Sequence, residues 1–456
     1  MLSEKKHVKM RGKGWPYDFK CIQKLSPDSV KEAIQTLFPR HDGNDIREKI
    51  RGKLSDKTFK IIDTYIESTI YIYIVFMFLS KGEGIRNIIL FGNLGLWLLS
   101  IRSRKDLHLF KKPFFFFFCA FLGSSVLSAA LSIDPRYSFS QLLGEPLKAL
   151  LIFPVFATVL ADAQRLRRVA YACLIAALVI MLNGYYSYLL GHTDVLNPDT
   201  WLMHAWYNRF SSYMNILLSF SFILFFFWKK PSQRALLMLF FFFAVFALIL
   251  NATRTGLLEF AVIAAIWLMY LATTKKYRMT KAFVILTFCL FLVASLSWNI
   301  SPWVREKAAR TKSDLQTFNY RTIGWTAALY AFSERPIEGW GYGKTIFRMD
   351  EPFHNTPIKK HPAIDDPHNA FFTVMFQQGT VGIIPYVLII GLSCVAFWKE
   401  AVRGTGIRSY VLMACFSVVV GNYIIYAFFN PVTFRHLAVI LGIGMAAVNL
   451  HEDRGS

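Results

Sequence analysis

The sequence lacks the motifs of several common enzyme classes. It has only six cysteines, with no C-x-x-C pair, no H-E-x-x-H segment and no serine nucleophile elbow. Five cysteines lie in apolar stretches and Cys21 lies in a basic N-terminal region. We therefore expect no disulfide, no metal site and no cofactor. The first long apolar stretch begins near Ile61, which is too late for a cleavable signal peptide.

Charge is scarce and mostly of one sign. Only 18% of the residues are charged, and 51 Lys and Arg face 29 Asp and Glu, for a net charge of +22. In a soluble protein this excess would suggest nucleic acid as a partner. Here the positive charge falls in loops between apolar stretches, so no nucleic-acid partner is expected.

Long apolar stretches dominate the rest of the chain, in which 54% of residues are hydrophobic. A single stretch could be a buried helix of a soluble protein, but about twelve in series indicate membrane spans. The tenth is long and is predicted to begin as a short helix before Gly379. The sequence thus predicts an all-α polytopic membrane protein with spans near 62–80, 86–101, 113–132, 143–161, 168–190, 210–228, 235–251, 255–273, 280–298, 369–397, 408–429 and 433–450.

Loop charge predicts the orientation. Alternate short loops carry eighteen Lys and Arg on one side and six on the other, and the richer side is expected to be cytoplasmic. This predicts a basic cytoplasmic tail (1–60), nine transmembrane helices (61–298), a large periplasmic loop (299–367), three more helices (368–450) and a cytoplasmic C-terminus (451–456). The tail could contact anionic lipid or be an extension without chemistry.

The long loop has the pattern of a folded segment. Residues 320–332 carry an apolar stripe at helical spacing (Trp325, Ala328, Leu329 and Phe332), and Pro336 ends it. Three alternating glycines follow, from Gly339 to Gly343, but not between a strand and a helix, so a dinucleotide fingerprint is rejected. These glycines are predicted to form turns that fold the loop over a cavity.

Four ionisable residues gather at the predicted periplasmic ends of spans or in the loop: Arg209, Arg254, Arg321 and His368. Converging guanidinium groups suit a phosphate or pyrophosphate. For each arginine taken alone, anchoring at the interface is the alternative. His368 follows Asp365 and Asp366, as a general base could, although capping or packing explains a lone histidine equally well.

These segments resemble the O-antigen ligase and polymerase superfamily of bacterial membrane glycosyltransferases. Ser132–Pro135, Asn208–Ser211 and Thr253–Gly256 are similar to three of its motifs. The family often has Glu where this chain has Gln377. The resemblance is strongest in the order and spacing of Arg321, Trp325, Pro336, Gly339, Gly341, Gly343, His368, Asn369, Gly379 and Gly382.

The resemblance implies a GT-C-like fold and a donor glycan on undecaprenyl pyrophosphate. His368 would accept the proton of the acceptor hydroxyl, and the three arginines would hold the pyrophosphate without a metal. Asn369 and Asp366 would orient the imidazole, and Trp325 and Tyr320 would stack on sugars or pack.

The function implied is an inverting O-antigen ligase of the cell inner membrane, active at the periplasmic face. Its acceptor would be the lipid A core, and membrane lipids would surround it. A Wzy-type polymerase, which extends a growing glycan, is the alternative within the family. A polysaccharide transporter without chemistry is the alternative outside it, although transporters place charged sites near the bilayer midplane.

Overall fold

A computed structural model describes residues 56–79, 82–101, 113–144, 146–189, 207–251, 253–274, 315–354, 366–430 and 433–450. Every regular element within these ranges is a helix. Most of the predicted tail, the predicted ninth span (280–298) and the residues after 450 lie outside them, as do parts of the predicted periplasmic loop.

Fifteen α-helices follow one another along the described ranges. They are α1 (Asp56–Met77), α2 (Glu83–Ser100), α3 (Pro113–Ala130), α4 (Pro135–Gly144), α5 (Pro146–Val159), α6 (Ala163–Leu189), α7 (Tyr207–Phe222), α8 (Leu224–Phe227), α9 (Pro231–Asn251), α10 (Arg254–Thr273), α11 (Leu315–Glu334), α12 (Lys344–Arg348), α13 (Ala370–Arg403), α14 (Gly406–Val420) and α15 (Phe434–Asn449). Short turns of 3₁₀-helix (Glu351–Phe353 and Tyr426–Phe428) and π-helix (Gly421–Ile425) complete the set.

The apolar helices confirm the prediction of an all-α polytopic membrane protein. Seven helical segments are long and apolar enough to cross a membrane, and two shorter apolar helices accompany them at 115–130 and 434–449. Helices also occupy the first two predicted spans, although neither is among the seven. The polar residues of α1, among them Asp63 and Glu67, keep that helix out of the apolar set.

The acidic residues of α1 are paired inside the bundle. Asp63 and Glu67 are both buried, and the Arg165 guanidinium lies 2.5 Å from Asp63 Oδ2 and 3.1 Å from Glu67 Oε2. Arg168 Nη1 lies 2.5 Å from Glu67 Oε1. A buried charge is tolerated where an opposite charge meets it, so this network ties the first half of α1 to the start of α6.

Helix α15 lies at the centre of the bundle, and nearly all its residues are buried. Two glycines let neighbouring helices approach its backbone. A Cβ on Gly442 would lie 2.7 Å from Phe156 Cβ of α5, and one on Gly444 would overlap the Phe397 ring of α13. Small residues at helix contacts are typical of membrane bundles, where close backbone approach supplies the packing energy.

Helix α13 is broken at Gly379, as the sequence predicts. Gly379 has φ of 62°, a conformation that residues with a Cβ rarely adopt. The freed backbone is satisfied from the preceding loop, because Thr380 N donates to Pro336 O at 2.7 Å and Val381 N donates to Ile337 O at 3.3 Å. The break therefore lets the loop that follows α11 form backbone hydrogen bonds with α13.

The segment Gly339–Gly343, called the glycine strip, docks on the same break. Trp340 N donates to Phe376 O and Gly341 N to Gln377 O, at 3.0 and 3.1 Å. All three glycines have positive φ, and a Cβ on Gly343 would lie 2.6 Å from the Tyr137 ring of α4. The strip bends at its glycines, which allow backbone contact with α13 and the α3–α4 corner. That the strip folds the loop over a cavity stays a prediction.

Helix α11 confirms the helix predicted at 320–332, but its buried face differs from the predicted stripe. Ala327, Ala328 and Ala331 are buried, whereas Leu329 is 42% exposed. The Trp340 indole, which donates to Ala331 O at 2.6 Å, explains the difference. The large Trp340 ring belongs to the glycine strip, so the side chains of α11 that face it must be small.

We expect Gly341→Ala to destabilise the folded protein by about 2–4 kcal/mol, because the new Cβ would meet Ser132 while φ stays at 122°. Gly406→Ala is the matched control, since Gly406 has φ of 62° but no atom lies within 4 Å of the point where its Cβ would stand. The control should cost about 1 kcal/mol. Thermal unfolding in detergent measures both, and equal shifts would show that the strip is not tightly packed.

Candidate active site

Asp366 and His368 form a side-chain pair just before α13. Asp366 Oδ1 accepts a hydrogen bond from the His368 backbone N at 2.6 Å and lies 3.1 Å from His368 Nδ1. The Asp366 side chain is 7% exposed and that of His368 is 41% exposed. A buried carboxylate at Nδ1 orients the ring and leaves Nε2 as the nitrogen directed away from it.

His368 also has an uncommon backbone conformation. Its φ is 49°, and it is the only residue with a side chain that has positive φ in the described part of the chain. Such a conformation costs about 1–3 kcal/mol and persists where surrounding contacts hold it. Here the contacts are the Asp366 carboxylate on one side and the α13 cap on the other.

Asn369 provides that cap. Its Oδ1 accepts from Phe371 N at 2.9 Å and Phe372 N at 3.1 Å, and its Nδ2 donates to Phe428 O at 2.9 Å. The side chain is fully buried. Asn369 thereby fixes the start of α13 against the 3₁₀ turn before residue 429, and it positions His368 through the backbone.

Lys344 is a neighbour of the Asp366–His368 pair, and no sequence motif pointed to this lysine. It begins α12, directly after the glycine strip, and its Nζ lies 3.6 Å from Asp366 Oδ2. The lysine side chain is 54% exposed. Asp366 therefore lies between the His368 imidazole and the Lys344 ammonium group. In the chain, Lys344 precedes the undescribed segment 355–365 and His368 follows it.

Arg209 and Arg254 begin neighbouring helices at one end of the bundle. A Cβ on Gly256 would overlap Ser211, so α7 and α10 are in close contact one turn from the two arginines. Asn215 Nδ2 donates to Gly256 O at 2.8 Å across the same contact. Both arginines are exposed at this end, called the arginine end below.

The segment 426–430 contacts the starts of α13 and α10. Phe428 O accepts from Asn369 Nδ2 at 2.9 Å. Asn430 Nδ2 lies 3.5 Å from Tyr426 O and 3.3 Å from Thr255 Oγ1, the residue after Arg254. The polar residues of this segment interrupt an otherwise apolar stretch, and they are the sequence feature that could have indicated these contacts.

Trp325 packs one helical turn after Arg321. Its ring lies 5.7 Å from that of Phe372 and 5.4 Å from that of Phe428, in α13 and the 3₁₀ turn. Arg321 lies one turn before Trp325 on the same face of α11. Tyr320 belongs to α11, but its side chain lies outside the described residues.

The candidate polar groups are cations, one imidazole and one carboxylate. Within the described ranges, no three His, Cys, Asp or Glu side chains cluster as a metal site would need. Fixed cations can bind an anionic group, and a half-exposed imidazole can accept a proton.

Residues 239–387 match the family described as O-antigen ligase. The match covers about a third of the chain. It confirms the resemblance to the ligase and polymerase superfamily, whose members are membrane glycosyltransferase-like enzymes. The matched segment contains Arg254, Arg321 and His368, while Arg209 precedes it. No curated protein matches the chain.

Proposed function

We propose that the protein is an O-antigen ligase that transfers a glycan from undecaprenyl pyrophosphate to a sugar hydroxyl of the lipid A core. The observation that carries the proposal is the Asp366–His368 pair at the start of α13, in the segment that matches this family. Arg209 and Arg254 lie near the starts of two contacting helices, and Arg321 lies one turn from Trp325, which packs on Phe428. Three guanidinium groups suit a pyrophosphate.

The chemistry is a single displacement at the anomeric carbon. The acceptor oxygen forms a bond to that carbon, the bond from the carbon to the pyrophosphate oxygen breaks, and the configuration inverts. His368 Nε2 accepts the hydroxyl proton, since Nδ1 faces Asp366. The lipid pyrophosphate leaves with its charge held by Arg209, Arg254 and Arg321.

The proposed setting is the cell inner membrane, with both termini in the cytoplasm and the arginine end facing the periplasm. Eighteen basic residues in alternate loops against six support this orientation. Cysteines introduced at exposed Arg136 and at exposed Lys230 test it. A membrane-impermeant maleimide added to intact spheroplasts should label the first and not the second, and the reverse pattern would invert the topology.

The lipopolysaccharide profile of a deletion strain separates ligase from polymerase. A ligase deletion should leave bare core, with polymer stalled on its lipid carrier, and the wild-type gene should restore the ladder. Core that carries a single repeat unit would instead mean that ligation is intact and that the protein is a polymerase. Glycan transfer by purified protein without any gradient would exclude a transporter.

Asp366→Asn is expected to lower kcat by about 10- to 100-fold, because the amide keeps an acceptor for His368 N but loses the charge beside Nδ1. Lys344→Met should cost less than about fivefold, since the Lys344 side chain is half exposed and its Nζ lies 3.6 Å from Asp366 Oδ2. Glycan transfer by purified enzyme measures both.

Glu351→Gln is the matched control, because it removes an exposed carboxylate of the same loop. It should retain wild-type activity. Full activity of Asp366→Asn would show that the carboxylate does not prepare His368 for proton transfer.

A further inference from the structure

A buried carboxyl lies beneath the arginine end. Glu259 of α10 is fully buried, five residues after Arg254, in a helix apolar enough to span the membrane. Its Oε1 accepts from Asn422 Nδ2 at 2.9 Å, and within the described residues it makes no ion pair, while Oε2 has no hydrogen-bond partner there. An ionisable side chain at such a depth is costly, so a role that needs it is expected.

Glu259 belongs to a cluster of polar side chains that joins three segments. Asn422 Nδ2 also donates to Ser212 Oγ of α7. On the next turn of α7, Asn215 Nδ2 donates to the α10 backbone at Gly256 O. The glutamate cluster (Glu259, Asn422, Ser212 and Asn215) therefore holds α7, α10 and the π turn together about one turn below Arg209 and Arg254.

The π turn contains Asn422 of the glutamate cluster. Gly421–Ile425 widens the backbone at Asn422, and a Cβ on Gly421 would lie 2.6 Å from Ile263 Cγ1 of α10. Single π turns inside α-helices are rare and occur often at functional sites, where they redirect a side chain. The chain then continues directly to Tyr426 and Asn430, and Asn430 Nδ2 lies 3.3 Å from Thr255 Oγ1, next to Arg254.

We propose that Glu259 is a positioning residue that sets the spacing of Arg209 and Arg254 for one pyrophosphate. The inference rests on the proposed function only in naming that ligand. Glu259 acts by accepting the hydrogen bond from Asn422. This bond holds the starts of α7 and α10 at a fixed spacing. Displacement of a binding group by about 1 Å can cost on the order of 100-fold in rate, so small shifts of α7 against α10 matter.

The test measures binding of inorganic pyrophosphate to the purified full-length protein by calorimetry, together with glycan transfer. Glu259→Leu keeps a similar volume but removes the acceptor, and we expect it to weaken pyrophosphate binding about tenfold. Glu259→Gln keeps an acceptor for Asn422, so it should stay within about threefold of wild type. A residue needed only for folding would lower the melting temperature without this rescue by glutamine.

Three results would overturn the proposal. They are unchanged pyrophosphate affinity in Glu259→Leu, equal losses in Glu259→Leu and Glu259→Gln, and absence of pyrophosphate binding by the wild type. Should Glu259→Leu fail to fold, Ser212→Ala removes one hydrogen bond of the cluster and should weaken binding about threefold, and unchanged affinity there overturns it equally. If pyrophosphate affinity depends on Glu259 as proposed but the wild type transfers no glycan to lipid A core, the ligase function alone is refuted.

Discussion

His368→Gln should lower kcat by about 10²- to 10⁴-fold, the range that a positioned general base contributes. Glutamine keeps much of the side-chain volume but cannot accept the proton of the acceptor hydroxyl at neutral pH. Glycan transfer by purified enzyme measures the change. Donor KM should move little, because the pyrophosphate contacts that we propose come from the arginines.

His354→Gln is the matched control for that substitution. His354 is exposed and ends the 3₁₀ turn Glu351–Phe353 of the same loop. Its activity should remain within about twofold of wild type, as for most exposed sites. A His368→Gln enzyme with turnover near that of wild type would contradict the proton-transfer role and leave His368 as part of the α13 cap.

Arg254→Ala is expected to lower kcat/KM by about 10²- to 10³-fold, as when one fixed donor to a developing charge is removed. Arg254→Lys should fall between Ala and wild type, because lysine keeps the charge but cannot donate two parallel hydrogen bonds. Steady-state kinetics with the lipid-linked donor measure both.

Arg136→Ala is the control for this second prediction. Arg136 is an exposed arginine near the start of α4, a helix that packs against the glycine strip. Its loss should leave kcat/KM within about twofold of wild type. If Arg136→Ala and Arg254→Ala lose activity equally, total positive charge at the surface matters, and a defined pyrophosphate site does not explain the arginines.

The two arginines of neighbouring helices should also be coupled. Arg209 and Arg254 begin α7 and α10, which contact each other through Ser211 and Gly256. Groups that hold one ligand together are not additive, so the double variant should lose less than the product of the two single losses.

Local pattern predicted much of the architecture. Helices occupy eleven of the twelve predicted spans, and the remaining one lies outside the described residues. The break at Gly379 and the helix before Pro336 were also predicted. These features depend on hydrophobic periodicity and on backbone conformations open mainly to glycine, both of which a short stretch of sequence carries.

Features that depend on distant residues were not predicted. Lys344 meets Asp366 only because the glycine strip turns back onto α13, and Glu259 meets Asn422 across 163 positions of sequence. The exposure of Leu329 likewise depends on where the Trp340 ring packs. No spacing rule reports such contacts, since side-chain neighbours in a bundle are set by helix packing.

The sequence by itself determined that the protein is a helical membrane protein, which residues bear its candidate chemistry, and which family its domain resembles. Apolar length and residue type are sufficient for those conclusions. Only the tertiary structure decided that Asp366 lies against His368 Nδ1 and that Asn430 lies beside Thr255, next to Arg254. A site is a set of distances between residues far apart in the chain, and packing of the helices fixes those distances.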